Sequence, residues 1–144
     1  MDRRLHADLR TCSLLGIPGV AHAGEHGGPE EVRFAVERFG ARRIQHGIGA
    51  AQDPEVLALL VERGVPCDVC PGSNLALHAV VPPADHPLRT MLDAGVVVTL
   101  GTDDPPMFHT NLLDEYERAW SWCDLDHDGL SRLAANSLAA SFLS

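Results

Sequence analysis

Long hydrophobic runs are missing from this sequence. The longest unbroken aliphatic stretch is residues 56–61, whereas a helix needs about 20 apolar residues to cross a bilayer. The first ten residues, MDRRLHADLR, are charged, and no apolar segment with a small-residue cleavage site follows them, which is unlike a secretory signal. The sequence therefore predicts a protein that neither spans nor binds a membrane and has a cytoplasmic location.

Positive charge and cysteine are both scarce. Lys and Arg total 11 against 20 Asp and Glu, which gives a net charge of −9 and repels a phosphate backbone. We therefore expect no polymeric nucleic acid as a partner. The four cysteines do not form a dense disulfide framework for 144 residues, so they are interpreted as reduced thiols.

A repeated helix pattern is the most regular feature that the sequence does contain. Three segments follow it: residues 28–40, 53–64 and 85–95. In the first, Pro29 occupies a first-turn position and Gly40 suits a left-handed C-terminal cap. The apolar residues between them recur at i, i+3, i+4 and i+7, which predicts one buried face. Two further helices are predicted at about residues 112–122 and 130–142.

Short apolar or β-branched runs alternate with these helices. They are residues 19–22, 43–46, 65–70 and 96–100. Such an alternation predicts a parallel sheet with right-handed crossovers, and hence an α/β fold. No proline-rich or glycine-rich linker interrupts the pattern, so residues 1–144 are interpreted as one domain.

Chemically reactive side chains fall at the ends of the predicted strands. His22, His46, Cys70 and Asp103 are spaced by 24, 24 and 33 residues, about one βα unit each time. In α/β barrels the reactive groups lie at the C-terminal ends of successive strands and face one pocket. We therefore expect these side chains to meet, and the small residues around His22 to leave room for a ligand.

A metal ion would explain the chemistry of this pocket. Asp103 and Asp104 are adjacent carboxylates directly after a hydrophobic strand, and they repel unless a cation or hydrogen-bond donors hold them. His and Asp together suit zinc, which keeps a position open for water in catalytic sites. Glu25 would then act as a proton donor and His46 as an orienting or electrophilic group. The alternative, in which each residue is a helix cap or a loop residue, stays open from these patterns alone.

Four motifs resemble the ordered motifs of the adenosine deaminase family of metal-dependent hydrolases. They are His22-Ala23-Gly24-Glu25, His46-Gly47 after an apolar strand, CPGSN at residues 70–74, and Thr102-Asp103-Asp104-Pro105. The C-terminal AANSLAASFL is similar to that family's penultimate helix. Together the motifs cover the chain from about residue 20 to its end, in the family's order.

The resemblance implies a (β/α)8 barrel that uses one zinc ion to remove an amino group from a purine by hydrolysis. By motif, His22 and Asp103 would be zinc ligands, and His46 would steady the hydroxide formed at the zinc. Glu25 would protonate the ring nitrogen beside the attacked carbon, and Asp104 would hydrogen-bond the far edge of the ring. The expected substrate is adenosine or a related purine nucleoside, with adenine or a modified adenosine such as aminodeoxyfutalosine as alternatives.

Two departures from the family pattern are visible. The family takes two more zinc ligands from a His-x-His motif on its first strand, and no His-x-His occurs here, since His6 lies in LHADL. A complete barrel needs roughly 250 residues, so this chain corresponds to about the C-terminal four βα units. We therefore expect weakened zinc binding, negligible deaminase activity of this chain alone, and self-association through exposed barrel edges. A non-catalytic remnant is the alternative from another functional class.

Two other patterns are interpreted as structural. Cys67 and Cys70 have the spacing of a zinc knuckle or a redox pair, but no second CxxC is present, and they are predicted to face opposite sides of a strand. Residues 124–129 begin like a calcium loop, yet the twelfth position is Ala135, where a bidentate Glu belongs. We expect an acidic turn there instead.

Overall fold

The centre of the structure is a sheet of four parallel strands in the order β1-β2-β3-β4. The structure is a computed structural model and describes residue 11, residues 14–81 and residues 86–142. The strands are β1 (Val20–Ala23), β2 (Arg43–His46), β3 (Cys67–Val69) and β4 (Val98–Leu100). All four were predicted from the sequence, although β3 and β4 are shorter than the apolar runs that indicated them.

Helices follow each strand along the chain. They are α1 (Pro29–Phe39), a 3-10 helix (Ile48–Gln52), α2 (Pro54–Arg63), α3 (Pro71–Ala76), α4 (Leu88–Asp93), α5 (Pro105–Phe108), α6 (Leu112–Cys123) and α7 (His127–Ala139). Among the described residues, none of these helices combines the length and the apolar character that crossing a membrane requires.

The ends of α1 and α2 follow their sequence signals. The Asp53 side chain accepts a hydrogen bond from the Glu55 amide at 2.8 Å, which satisfies one of the free donors at the start of a helix. Gly40 and Gly64 end the two helices in the left-handed conformation, with φ of 65° and 59°. The predicted cap Asp85 lies outside the described residues, and α4 begins at Leu88.

The core lies between the sheet and the surrounding helices. Strand residues Ile44, Cys67 and Val98 are all 0% exposed, and Leu60 and Met91 from α2 and α4 join them in one cluster. Burying an aliphatic side chain of this size contributes about 1.5 to 3 kcal/mol. This apolar face holds the strands in register and so fixes where their C-terminal ends lie.

The opposite face of the sheet is polar. Gln45, Asp68 and Thr99 are register neighbours across β2, β3 and β4. Asp68 accepts hydrogen bonds from the Arg43 guanidinium at 2.7 Å and from the Thr99 hydroxyl at 2.5 Å. The Asp68 carboxylate is therefore paired, as a nearly buried charge must be.

Three short helices and one boundary differ from the sequence prediction. The 3-10 helix, α3 and α5 were not predicted, because elements of four to six residues are too short to show a helical period. The last helix was predicted from about residue 130 but begins at His127, where the Asp126 side chain accepts from the Gly129 amide at 2.7 Å. The predicted acidic turn over residues 124–129 is therefore wrong for its second half, which is helical.

The outer edges of β1 and β4 have no strand partner within the described part of the chain. On β4, the Val98 carbonyl instead accepts a hydrogen bond from the Asn136 side chain of α7 at 2.9 Å. Unpaired edges of a parallel sheet are sites for association with another strand. Self-association through these edges stays a prediction.

Candidate metal centre

Three side chains with metal-binding atoms converge at the C-terminal edge of the sheet. His22 lies in β1, His46 is the last residue of β2, and Asp103 follows β4. One ligand atom from each of the three lies within 4.8 Å of the others. They meet because parallel strands place their C-terminal ends at the same edge.

The backbone turns sharply where two of these residues are placed. His46 and Asp103 have positive φ angles of 69° and 56°, a left-handed conformation that is uncommon for residues other than glycine and costs of order 1 kcal/mol or more. Gly47 continues the turn with φ 72°, and a Cβ at this position would lie 2.6 Å from the Cys67 sulfur. Glycine is therefore required after His46 for both conformation and space.

The His46 ring is buried between carboxylates and an amide. Its side chain is 1% exposed, with Nε2 4.0 Å from an Asp103 oxygen and Nδ1 3.6 Å from Glu25 Oε1. Asn74 Nδ2 lies 3.3 Å from Nδ1, and the His22 ring centroid is 5.5 Å away. Burial lowers the pKa of His46 below its ordinary value, although the Glu25 and Asp103 carboxylates act in the opposite direction. Burial therefore favours the neutral form of the ring, in which one nitrogen can accept a proton.

The Asp103 carboxylate is oriented by α3. The Ser73 hydroxyl donates to Asp103 Oδ2 at 2.7 Å, a short charge-assisted hydrogen bond. Ser73 and its neighbour Asn74 are both 0% exposed. One turn of α3 therefore contacts both Asp103 and His46.

The donor set fits a zinc ion. The His22 imidazole and the Asp103 carboxylate are ligands that zinc accepts, and Asp103 has an outer hydrogen-bond partner in Ser73, as metal ligands commonly do. Glu25 Oε1 is buried and has no hydrogen-bond partner among the described residues. A polar ligand beside His46 would satisfy this oxygen.

A family comparison identifies the chain. The sequence profile described as "Adenosine deaminase" matches residues 14–144. The chain belongs to the adenosine deaminase family. The family predicted from the four motifs is therefore confirmed.

Relatives within the adenosine deaminase family share substantial sequence with the chain. Aminodeoxyfutalosine deaminase from Streptomyces avermitilis is 51% identical over 128 residues, which are 89% of this chain and 36% of that protein. Adenine deaminase from Sinorhizobium fredii is 41% identical over 128 residues, which are 89% of this chain and 40% of that protein. These two shares show that the chain spans well under half the length of the relatives that it matches.

Solved structures show the fold. Adenine deaminase from Arthrobacter aurescens superimposes with a TM-score of 0.90 and 36% identity, over 96% of this chain and 42% of that chain. An amidohydrolase from Burkhoderia ambifaria with bound Zn gives a TM-score of 0.87 and 26% identity, over 96% of this chain and 39% of that chain. The chain has the α/β fold of the (β/α)8 barrel type, represented by four βα units, as predicted.

Asp104 takes a position apart from the three converging side chains. It is exposed, and it caps α5 by accepting a hydrogen bond from the Met107 amide at 3.1 Å. The structure therefore places Asp103 and Asp104 differently, although they are adjacent in the Thr102-Asp103-Asp104-Pro105 motif of the adenosine deaminase family. The substrate contact expected of Asp104 stays a prediction.

Sequence reasoning missed the partners that orient this centre. The CPGSN motif indicated the adenosine deaminase family, but neither Ser73 nor Asn74 was given a role from it. A polar Ser-Asn pair in the short helix after a buried strand is the signal that points to contacts with the strand ends. Glu115 in α6, which contacts the same turn, has no comparable signal in the sequence.

The cysteines lie in the core and not in the metal centre. Cys67, Cys70 and Cys123 are buried free thiols, while Cys12 lies outside the described residues. Burial raises the pKa of Cys67 and of Cys70 to about 12. Cys70 was expected among the side chains of the strand-end pocket. Its sulfur instead lies 3.3 Å from Gln45 Nε2, beside the three converging residues. These contacts agree with the structural role predicted for the CxxC pair.

Proposed function

We propose that this chain supplies the metal-binding C-terminal part of a hydrolase that removes the amino group from an adenine ring. The convergence of His22, His46 and Asp103 within 4.8 Å carries the proposal. Two relatives are named as deaminases of aminodeoxyfutalosine and of adenine. These names favour the alternative substrates of the sequence analysis over adenosine itself, so aminodeoxyfutalosine and adenine are the substrates that we propose.

His22 and Asp103 would hold a zinc ion, with the His46 ring facing the same point. The chemistry that zinc would supply there is a lowered pKa of a water molecule, which would make that water a nucleophile near neutral pH. The Ser73 hydrogen bond fixes the Asp103 carboxylate in one orientation. Because burial lowers the pKa of His46 and so favours its neutral form, the ring could accept a proton from the attacking water and hold it beside Asp103.

Glu25 is proposed as the proton donor to the purine. Water adds to an aromatic carbon only when electron density moves onto the neighbouring ring nitrogen, and a proton delivered to that nitrogen stabilises the product of the addition. Glu25 Oε1 lies 3.6 Å from His46 and is buried without a partner among the described residues. The amino group then takes up the proton that His46 would hold and leaves as ammonia with the carbon–nitrogen electron pair. The new hydroxyl returns its proton to the Glu25 carboxylate as the ring carbonyl forms. We propose that Asp104, at the exposed start of α5, contacts the far edge of the ring.

A non-catalytic remnant is the second candidate. No His-x-His is present in the 144 residues, so two ligands of the family's zinc site are absent from this chain. We expect the chain by itself to show negligible turnover for this reason. If the chain is a non-catalytic remnant, it should show neither turnover nor selective binding of zinc and purine.

Thermal unfolding with zinc and purine ligands separates the two candidates. In wild-type chain, zinc should raise the melting temperature, and aminodeoxyfutalosine, adenine or a purine riboside should raise it further only when zinc is present. Asp103→Asn should abolish both shifts, whereas Asp104→Asn should reduce the purine shift alone. Equal purine shifts with and without zinc, or in Asp103→Asn, would overturn the proposal. Ammonia release above a metal-free control would show that the expectation of negligible turnover is wrong.

A further inference from the structure

A fully buried carboxylate lies behind the metal centre. Glu115 in α6 is 0% exposed. It accepts hydrogen bonds from the Gly72 amide at 2.7 Å, the Thr110 hydroxyl at 2.5 Å and the Arg118 guanidinium at 2.7 Å. A buried carboxylate with three donors is fully paired, so its position is fixed on all sides.

The Gly72 amide belongs to the same turn of α3 that contacts the centre. Ser73, the next residue, donates to Asp103, and Asn74 lies against His46. The contact between Glu115 and Gly72 joins residues that are 43 positions apart. Glu115 therefore fixes the backbone from which both contacts to the centre are made.

Close approach between these two residues depends on glycine. A Cβ added at position 72 would collide with Glu115 Oε1. The absence of a side chain at Gly72 lets the carboxylate bind the main-chain amide directly. A direct contact to the backbone positions α3 more tightly than a contact between two flexible side chains.

We infer that Glu115 is a positioning residue of the metal centre, acting through α3 on Asp103 and His46. The inference rests on the proposed function, since it concerns the metal that His22 and Asp103 are proposed to hold. A role in stability alone explains less, because a buried ion pair is often no more stabilising than apolar side chains of similar volume. Positioning of α3 explains more, because Glu115 binds the Gly72 amide in the same turn whose Ser73 hydroxyl holds the proposed ligand Asp103.

Cobalt binding to Glu115→Gln tests the inference. The amide has the shape of the carboxylate, but its nitrogen must face either the Gly72 amide or the Arg118 guanidinium. Both of these groups can only donate, so one of the two contacts is lost. We expect the cobalt affinity to fall by up to about the tenfold that the loss of a direct outer-shell partner costs, with an altered visible spectrum of the bound cobalt. Glu117→Gln is the matched control, because Glu117 is exposed on the same helix. Its cobalt affinity and spectrum should equal those of the wild type.

Two further variants separate positioning from stability. In Gly72→Ala the new Cβ would collide with Glu115 while the charge of Glu115 is kept. The cobalt affinity should therefore fall, as it does in Glu115→Gln. Leu133→Ala removes a core side chain of α7 that is 1% exposed, which destabilises the chain away from α3. Its cobalt affinity should stay at the wild-type value in the folded protein. An affinity loss in Leu133→Ala as large as in Glu115→Gln would overturn the inference.

Nuclear magnetic resonance of the metal-free chain provides a second readout. The ring 15N shifts of His46 report how Asn74 holds the imidazole, and we expect them to change in Glu115→Gln and Gly72→Ala but not in Glu117→Gln. Unchanged His46 shifts together with unchanged cobalt affinity would contradict the inference. If the wild-type chain takes up no cobalt, the proposed metal centre is wrong, and the His46 shifts alone decide whether Glu115 positions α3.

Discussion

The hydroxyl of Ser73 donates a 2.7 Å hydrogen bond to the carboxylate of Asp103, a residue that lies 30 positions later in the chain. Ser73 belongs to α3 and is fully buried. Asp103 lies in a loop, in a left-handed conformation with φ 56°. The hydrogen bond therefore connects the loop after β4 to the helix α3. It gives the Asp103 carboxylate the fixed orientation that a metal ligand needs.

Replacing Ser73 by Ala should weaken metal binding more than it weakens the fold. We expect a loss of about tenfold in zinc affinity and of about 1 to 2 kcal/mol in the free energy of unfolding. Isothermal titration and urea unfolding measure the two quantities. Ser137→Ala is the control, because Ser137 donates to the Leu133 carbonyl within α7. An equal loss of zinc affinity in both variants would contradict the role given to Ser73.

Gly47→Ala should destabilise the chain more than Gly64→Ala does. Both glycines have positive φ angles, 72° and 59°, so each substitution costs about 1 kcal/mol in backbone strain. Only at Gly47 would the new Cβ meet another atom, the Cys67 sulfur at 2.6 Å, which adds about 1 to 3 kcal/mol. Urea unfolding of the two variants checks the difference. Equal losses would show that the turn after β2 is looser than described.

The sequence allowed the converging residues to be predicted because parallel strands have a simple geometry. His22 and His46 lie at the ends of apolar runs about one βα unit apart, Asp103 follows a run two units later, and the ends of such runs meet at one edge of a sheet. Helix ends at Asp53 and Gly64 were predictable for a similar reason, since caps depend on local residues.

The residues that orient the centre could not be predicted in the same way. α3 has six residues, too few to show a helical period. Glu115 and Glu117 look alike as acidic residues of one amphipathic helix, yet Glu115 is 0% exposed and Glu117 is exposed. The difference depends on the contact with Gly72, which is 43 residues away in the chain, and a tertiary contact of that kind leaves no local pattern.

His86 should make stability depend on pH. It is 5% exposed, its Nδ1 accepts from the Leu88 amide at 3.1 Å, and burial lowers its pKa to about 4. The unfolded chain, with a His pKa of about 6.5, therefore binds more protons than the folded chain between these two values. The stability from this group is complete above pH 6.5 and is lost as the pH falls toward 4.

Replacing His86 by Asn tests this dependence, since the amide oxygen can accept from Leu88 without titrating. From pH 7 to pH 5 the wild type should lose about 2 kcal/mol more of its unfolding free energy than His86→Asn loses. Urea unfolding at the two pH values measures both losses. A parallel decline of the two proteins would show that His86 does not remain neutral in the fold.

Zinc titration of the wild type and three variants is the most direct test of the metal centre. The convergence of His22 and Asp103 predicts one zinc ion per chain, and His22→Ala and Asp103→Asn should each lower the affinity by more than the roughly 10- to 100-fold that an outer-shell partner costs. His127→Ala, which removes an exposed histidine of α7, should leave the affinity at the wild-type value. Wild-type affinity in Asp103→Asn, or an equal loss in His127→Ala, would contradict the assignment of the centre.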